Sequence, residues 1–246
     1  MLADPVDQRT LLTLADLDSE VARVQHAARS LPQHKVIADL MAARQRVTDE
    51  LVASVTAVDD LGVAVRKAES DLVPVRARLE RDQQRVSDGS ISDGKVLRSL
   101  TEEVEHLKRR INSLEDDELE LMGRLEDATA HRDKVAAQKA EIESRLRDEV
   151  AARDAAVKKL SQEAKDLAAT RAPIAAKMPA DLLALYEKLR ASSGMGAALL
   201  RAGRCGGCQL QLTLSDLDSY RRAPADQVIR CAECDRILVR TAESGL

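Results

Sequence analysis

Four cysteines carry the clearest chemical signal in this sequence, and they are arranged as two CxxC pairs. Cys205 and Cys208 enclose two glycines, 22 residues follow, and Cys231 and Cys234 form the second pair. A CxxC turn presents two thiolates from one side of the chain, and two such turns complete a tetrahedral four-sulfur shell that suits Zn²⁺. The spacing therefore predicts one zinc ion bound by Cys205, Cys208, Cys231 and Cys234.

A four-cysteine shell predicts a structural metal. Four protein ligands leave no open position for water or substrate, and the energy of metal binding then contributes to folding. Two other interpretations of the cysteines are weaker. A redox CxxC needs a βαβ context that the sequence lacks, and structural disulfides need an oxidising compartment, for which no secretion signal is present.

The residues around the cysteines predict a small β-rich zinc ribbon. Residues 209–214 alternate polar and apolar side chains, as a half-buried strand does, and residues 236–240 read as another strand. Residues 228–230 lead into the second cysteine pair, and residues 215–218 could cap a helical turn between the strands.

Seven arginines and no lysine lie in the last 46 residues, which makes them candidate contacts for a partner or for nucleic acid. The same stretch holds six acidic residues, and a four-thiolate zinc site adds a net charge of about −2, so composition indicates no basic patch. The candidate contact residues are Arg201, Arg204, Arg221, Arg222, Arg230, Arg236 and Arg240.

The rest of the chain has the composition of long helices. Its 246 residues include no Phe, no Trp and two Tyr, a third of the residues are charged, and the net charge is −4. High Ala, Leu, Glu and Arg content with helical periodicity is typical of coiled coils. The start of the chain lacks a signal peptide and no segment reads as a membrane span, so we expect a cytoplasmic protein that does not bind membranes.

Heptad periodicity predicts two helical arms of ~75–80 residues each. The arms are joined by a Ser-, Gly- and Asp-rich turn near residues 87–94, with Asp88 and Asp93 at its tip. Two arms joined by one short turn favour an antiparallel coiled-coil hairpin; two helices that each dimerise with another chain are the alternative. Three charged residues interrupt the second arm's apolar seam and predict a partly open interface, namely Glu118, Arg132 and Lys139.

Prolines and glycines divide the chain. Pro32 predicts a break and Pro74 a bend, whereas Pro173 is expected to end the second arm. A short amphipathic helix after Pro179 then reads as an adaptor that packs the ribbon onto the hairpin. The predicted segments are a hairpin over 1–172, an adaptor over 173–196 and a zinc ribbon over 197–246.

Three stretches make the sequence similar to bacterial C4-type zinc-ribbon proteins with a long N-terminal coiled-coil hairpin: residues 179–190, 204–212 and 229–238. The family's zinc ligands correspond to the four cysteines. The family usually has Gly where this chain has Asp235, and often an aromatic residue where it has Val239 and Arg240. The resemblance implies binding rather than catalysis; some members are linked to flagellar or type III secretion systems, to a sigma factor, or to RNA.

The sequence thus predicts a mostly α, non-enzymatic protein, with no small-molecule substrate. An adaptor or chaperone that binds protein partners is the first hypothesis, and RNA or DNA binding through the ribbon arginines is the alternative. A regulator that inserts an acidic hairpin tip into RNA polymerase carries less weight, because Asp in a turn usually serves the turn itself. No nucleotide-binding or hydrolase motif is present.

Overall fold

The structure, a computed structural model, describes all 246 residues and is mainly helical, as predicted. It contains five helices and four short strands, and all four strands lie in the cysteine-bearing segment after residue 196. None of the helices has a stretch that is both long and apolar enough to cross a bilayer. In chain order the elements are α1 (Pro5–Arg29), α2 (Pro32–Ser87), α3 (Gly94–Ala176), α4 (Ala180–Ser193), β1 (Ala197–Arg201), β2 (Arg204–Cys205), α5 (Leu214–Arg222), β3 (Ile229–Arg230) and β4 (Ile237–Val239).

The chain forms two compact units. One contains residues 35–150, and the other contains residues 1–34 together with 151–246. The three predicted segments divide the sequence by the type of secondary structure. The two compact units instead group residues that contact one another in space. The beginning of the chain therefore belongs with the ribbon.

Within residues 35–150, α2 and α3 form the predicted antiparallel hairpin. The ion pairs between the helices show the direction, because early residues of α2 meet late residues of α3: Arg44 with Glu143, Arg76 with Glu115, and Arg78 with Glu103. The buried seam consists mainly of aliphatic side chains at alternating three- and four-residue spacing. They are Ile37, Leu40, Val65, Leu72, Val104, Leu107, Ile111 and Val135.

The three prolines have different effects. Pro32 begins α2 after the break at Ser30, and Pro74 lies inside α2, which continues for 13 residues beyond it. The break at Pro32 and the continuation of the helix through Pro74 match the prediction, whereas the bend expected at Pro74 stays a prediction. The predicted end at Pro173 is wrong by one turn, because α3 continues to Ala176 and closes with tighter hydrogen bonds from Lys177 and Met178.

Both aspartates at the tip stabilise the turn. The Asp93 carboxylate accepts from the backbone N–H of Lys95 at 2.7 Å and so caps the start of α3. The Asp88 carboxylate accepts from the backbone N–H of Ser90 at 3.0 Å, and hydrogen bonds from Ser90 lower the pKa of Asp88. Their role in the fold is turn formation.

In the other unit, α1, α4 and the strands share one apolar core. Leu11 and Leu14 of α1 pack with Leu182 and Tyr186 of α4 and with Ile237 of β4. The first residues extend this packing, because the backbone N–H of Ala3 donates to Asp226 and that of Val228 to Met1. The beginning of the chain is thus hydrogen-bonded to the segment before β3.

The four strands form one sheet in the order β2, β1, β4, β3. Strand β1 pairs antiparallel with β2 and parallel with β4, and β4 pairs antiparallel with β3. The predicted strand over 209–214 is wrong: only Gln211 forms a bridge, with Arg204, and Thr213 caps α5 by accepting from the N–H of Asp216. Strand β1, which the sequence analysis missed, occupies the centre beside β4.

Candidate metal centre

The four cysteine sulfurs converge on one point between the two CxxC turns. All four Sγ atoms lie within 4.8 Å of one another; the Cys205–Cys234 separation is 3.8 Å and the Cys208–Cys231 separation is 3.9 Å. A tetrahedron with metal–sulfur bonds of ~2.3 Å has sulfur–sulfur edges of about 3.8 Å. A disulfide would need about 2.05 Å, so the thiols are free and could hold a metal ion.

The backbone builds the same turn at both cysteine pairs. In each, the N–H after the second cysteine donates to the carbonyl of the first, from Gln209 to Cys205 at 2.8 Å and from Asp235 to Cys231 at 2.9 Å. Gln209 and Asp235 both have φ of 63°, in the left-handed region. This conformation favours glycine, and aspartate, which tolerates it better than most residues, is acceptable at position 235.

The glycines of the first pair are needed for close packing. A Cβ on Gly206 would lie 2.9 Å from the carbonyl oxygen of Leu199, and one on Gly207 would lie 2.7 Å from Cδ of Arg236. The first CxxC turn therefore lies against β1 and against the side chain of Arg236. Larger residues at either position would push the turn away from the sheet.

Burial acts to raise the pKa values of three of the cysteine thiols, whereas hydrogen bonds from the backbone to the sulfur act to lower them. Burial raises the pKa of Cys205 to about 12 and also raises the pKa of Cys231. Burial opposes ionisation of Cys234 too, but hydrogen bonds from the backbone and side chain of Arg236 outweigh it and lower the pKa of Cys234 to about 7. A bound cation must displace the thiol protons, so metal affinity should fall as the pH falls.

Three of the seven candidate arginines are used inside the ribbon. Arg240 donates to five backbone carbonyls between residues 220 and 227 at 2.5–3.2 Å, and this holds the loop between α5 and β3. Arg236 donates to the carbonyls of Ser193 and Met195, which joins the metal centre to the end of α4. Arg230 donates to the carbonyl and pairs with the carboxylate of Asp235.

The other four arginines, like Arg230, are exposed. Arg201 pairs with Glu243, and Arg221 pairs with Asp218 at 2.7 Å. Arg204 donates to the carbonyl of Gln209. Arg222 has the freest guanidinium, with 83% of its side chain exposed and only Asp218, at 3.9 Å, as a partner.

A buried ion network, which the sequence analysis missed, holds α1, α3 and α4 together. Asp18 is only 7% exposed; it accepts from Nε and Nη2 of Arg171 at 2.7 and 3.0 Å and from the hydroxyl of Tyr186 at 2.7 Å. Glu187 pairs with Arg171 and with Arg190, which also reaches Asp18 at 3.3 Å. The one feature of the sequence that indicates this network is an aspartate on the apolar face of α1, between Leu14 and Val21.

Comparisons with known proteins agree with this architecture. Residues 14–194 match the family described as the CT398-like coiled coil hairpin domain. Uncharacterized proteins from two strains of Mycobacterium tuberculosis are 34% identical over 240 residues, which is 98% of each chain. An uncharacterized protein of Mycobacterium leprae is 30% identical over 91% of this chain and 96% of its own.

Solved structures show the same fold. A structure from Mycobacterium smegmatis has a TM-score of 0.84 at 36% identity, covering 98% of this chain and 100% of that one. CT398 from Chlamydia trachomatis has a TM-score of 0.68 at 15% identity, covering 94% and 96%. The comparisons give no support to a link with flagellar or type III secretion systems. They do place this chain in a family: it belongs to the CT398-like coiled-coil hairpin family.

Proposed function

We propose that this chain is a non-enzymatic interaction protein of the cytoplasm, in which one structural Zn²⁺ folds the ribbon and the helical hairpin binds protein partners. The observation that supports it best is the four-sulfur geometry. Four cysteine sulfurs that lie within 4.8 Å of one another would fill a four-coordinate shell and leave no coordination position for a substrate, so zinc bound there would supply folding energy only. A reducing compartment would keep these thiols available for the metal.

The ribbon has a clear use for such a metal. The two CxxC turns are held to the rest of the sheet by short strands of two to five residues, which contribute few hydrogen bonds. The core beneath them is small and includes Cys205 and Cys231 themselves. A metal that joins the two turns would therefore supply cross-linking that the apolar core lacks.

Elemental analysis tests the zinc assignment. We expect about one zinc per chain in protein purified without added metal, and loss of that zinc in Cys208→Ser, because three cysteines cannot close the shell. Ser193→Ala, next to the ribbon but outside the shell, is the control and should retain the metal. Purified protein without zinc, or a Cys208→Ser variant that keeps a full equivalent, would refute the assignment.

Protein binding by the hairpin is supported by its composition. Glu118, Arg132 and Lys139 lie half-buried at seam positions, as the sequence predicted, so the seam is not optimised for α2–α3 pairing alone. The hairpin also leaves large apolar side chains exposed within residues 35–150. Photo-crosslinking residues placed along α2 and α3 in cells test this function. If no position on either helix captures a protein, the proposed protein binding is wrong.

Nucleic-acid binding is the second candidate, supported by the exposure of Arg222 and Arg221 on α5. Binding of labelled RNA and DNA to the intact protein at low and moderate salt tests it, alongside Arg221→Ala/Arg222→Ala. Binding that weakens with salt and in the double variant would make the ribbon a phosphate-contacting module. Absence of binding at low salt would leave the protein-interaction function alone.

A further inference from the structure

The exposed apolar side chains of the hairpin are concentrated on one side. The heptad register is set by buried residues at position a, which are Val65 and Leu72 on α2 and Val104 and Ile111 on α3. In this register, six of the nine large apolar side chains exposed within residues 35–150 fall at positions b and e. We call this surface the b/e flank. Its apolar residues are Met41, Val52, Val55 and Val73 on α2 and Leu119 and Met122 on α3.

The b and e positions of both helices lie on the same side of the hairpin. Arg76 and Glu115, both at position e, form an ion pair across the helices, whereas Arg78 and Glu103, both at position g, pair on the opposite side. The c/g side exposes one large apolar residue, Val96, in the first turn of α3. The exposed apolar side chains are therefore concentrated on one side of the hairpin rather than scattered over it.

A glycine marks the middle of the b/e flank. Gly62 lies at position e inside α2, where a Cβ would meet only Nη1 of Arg66, at 3.5 Å. A glycine in a helix interior costs about 1 kcal/mol relative to alanine, and no internal packing requires this one. Because only the flexible side chain of Arg66 lies beside the missing Cβ, a partner helix could approach the backbone closely between Val55 and Val73 once Arg66 moves aside.

The charges beside this apolar strip are mainly acidic. Between residues 52 and 73 of α2 and 112 and 133 of α3, the b and e positions hold five acidic residues and one basic residue, Arg66. Asp59, Glu69 and Glu126 form no ion pair, so their charge is available to a partner. The acidic residues are Asp59, Glu69, Glu115, Glu126 and Asp133.

We propose that the b/e flank is a docking surface for one amphipathic helix of a partner protein, with an apolar face bordered by lysines or arginines. The strip from Val52 to Val73 is about 30 Å long, which corresponds to a helix of roughly 20 residues. A second copy of this chain would bring the same acidic flank and is disfavoured by like charge. This inference rests on the proposed protein-binding function and specifies its surface.

The test uses a fluorescent synthetic 22-residue helix with leucines on one face and lysines beside them, and a sister peptide with glutamate in place of lysine. Anisotropy titrations with the intact zinc-loaded protein should show binding of the lysine peptide and at least about tenfold weaker binding of the glutamate peptide. Leu119→Ser/Met122→Ser should weaken binding of the lysine peptide at least about tenfold. Val63→Ser, an equally exposed apolar residue at position f, should change it less than about twofold.

The chain offers a matched pair of charge variants. Asp59→Lys/Glu126→Lys acts on the b/e flank and should weaken binding of the lysine peptide at least about tenfold. Asp60→Lys/Asp127→Lys makes the same charge change one residue along, at position c, and should weaken it less than about threefold. Equal losses from the two double variants, or no binding of the lysine peptide, would overturn the proposal.

Two further measurements separate this proposal from the proposed function. A photo-crosslinking residue at position 122 (flank) should capture a protein in cells, and one at position 120 (position c) should not. Capture only from position 120 would leave protein binding intact and overturn the flank. Sedimentation that shows a dimer abolished by Leu119→Ser/Met122→Ser would assign the flank to a second copy, which also overturns the proposal.

Discussion

At the scale of single residues, the interactions that hold the ribbon-bearing unit together are made by buried charges and thiols. Their partners come from distant parts of the chain. Asp18 meets Arg171 and Tyr186, which are 153 and 168 residues away in sequence. Arg240 binds five carbonyls of one loop. Such groups must be paired because an isolated buried charge is expensive to desolvate.

Asp18→Asn should destabilise the unit that contains the ribbon by about 3 kcal/mol, because the mostly buried Arg171 then loses its closest buried carboxylate and keeps only Glu187 as an ionised partner. Thermal unfolding of the zinc-loaded protein measures this. Glu20→Gln, which removes the exposed partner of Arg23 on the same helix, is the control and should cost less than about 1 kcal/mol. Equal effects of the two substitutions would show that the network around Asp18 contributes little.

The same network predicts a pH dependence. Burial opposes ionisation of Glu187, but its hydrogen bonds with Arg171 and Arg190 prevail and lower its pKa. A carboxyl whose pKa is lowered by folding stabilises the folded state above its unfolded pKa and loses that contribution as the pH falls through the folded value. The difference in the free energy of unfolding between the wild type and Glu187→Gln should therefore be smallest at low pH. Unfolding measured over a series of acidic pH values tests this, and a difference that stays constant down to pH 2 would contradict it.

At the scale of elements, one glycine controls how α4 meets the sheet. A Cβ on Gly196 would lie 2.6 Å from the ring of Tyr186 and would also overlap that residue's carbonyl oxygen. Because Tyr186 is fully buried and is hydrogen-bonded to Asp18, it has no room to move. The junction between α4 and β1 therefore allows only glycine.

Gly196→Ala should destabilise the ribbon-bearing unit by more than about 2 kcal/mol, because it forces apart the packing of α4 and β1. Gly123→Ala is the matched control. Its Cβ would have nothing within 4 Å, so the higher helix propensity of alanine should stabilise α3 by up to about 1 kcal/mol. Chemical denaturation measures both, and a harmless Gly196→Ala would show that the junction is more adaptable than its packing suggests.

At the scale of the whole molecule, the units differ in their dependence on metal. The four cysteines belong to the unit of residues 1–34 and 151–246, and the hairpin of residues 35–150 contains none. Because residues 1–3 pair with residues 226–228, and Leu11 and Leu14 pack with β4, loss of the ribbon fold should also loosen the start of α1.

Chelation should therefore unfold the ribbon and expose the first turns of α1 while most of the helical circular dichroism signal remains. Hydrogen exchange resolves the regions: protection should fall in residues 1–15 and 197–240 and stay unchanged in residues 40–140. Returning zinc should restore it. Exchange that rises equally in both regions would show that the metal stabilises the whole chain as one cooperative unit.

The sequence by itself determined the elements that depend on local pattern. Heptad spacing predicted the two arms, the Ser-Gly-Asp stretch predicted the turn, and two CxxC pairs predicted the cysteine cluster, because each is encoded by residues close together in the chain. Pro173 shows the limit of such rules: a proline removes one hydrogen bond, but packing of Ile174 and Ala175 against the core carries α3 one turn further.

Only the tertiary structure decided which of these elements share a core. The alternating residues 209–214 are not a strand, because the central place beside β4 is taken by β1, from a less patterned segment. Likewise, the structure divided the seven arginines into two partly buried ones, Arg236 and Arg240, that hold the ribbon together and five that are exposed, a distinction invisible in their spacing. Long-range pairing depends on where distant segments meet, and one sequence pattern fits several such arrangements.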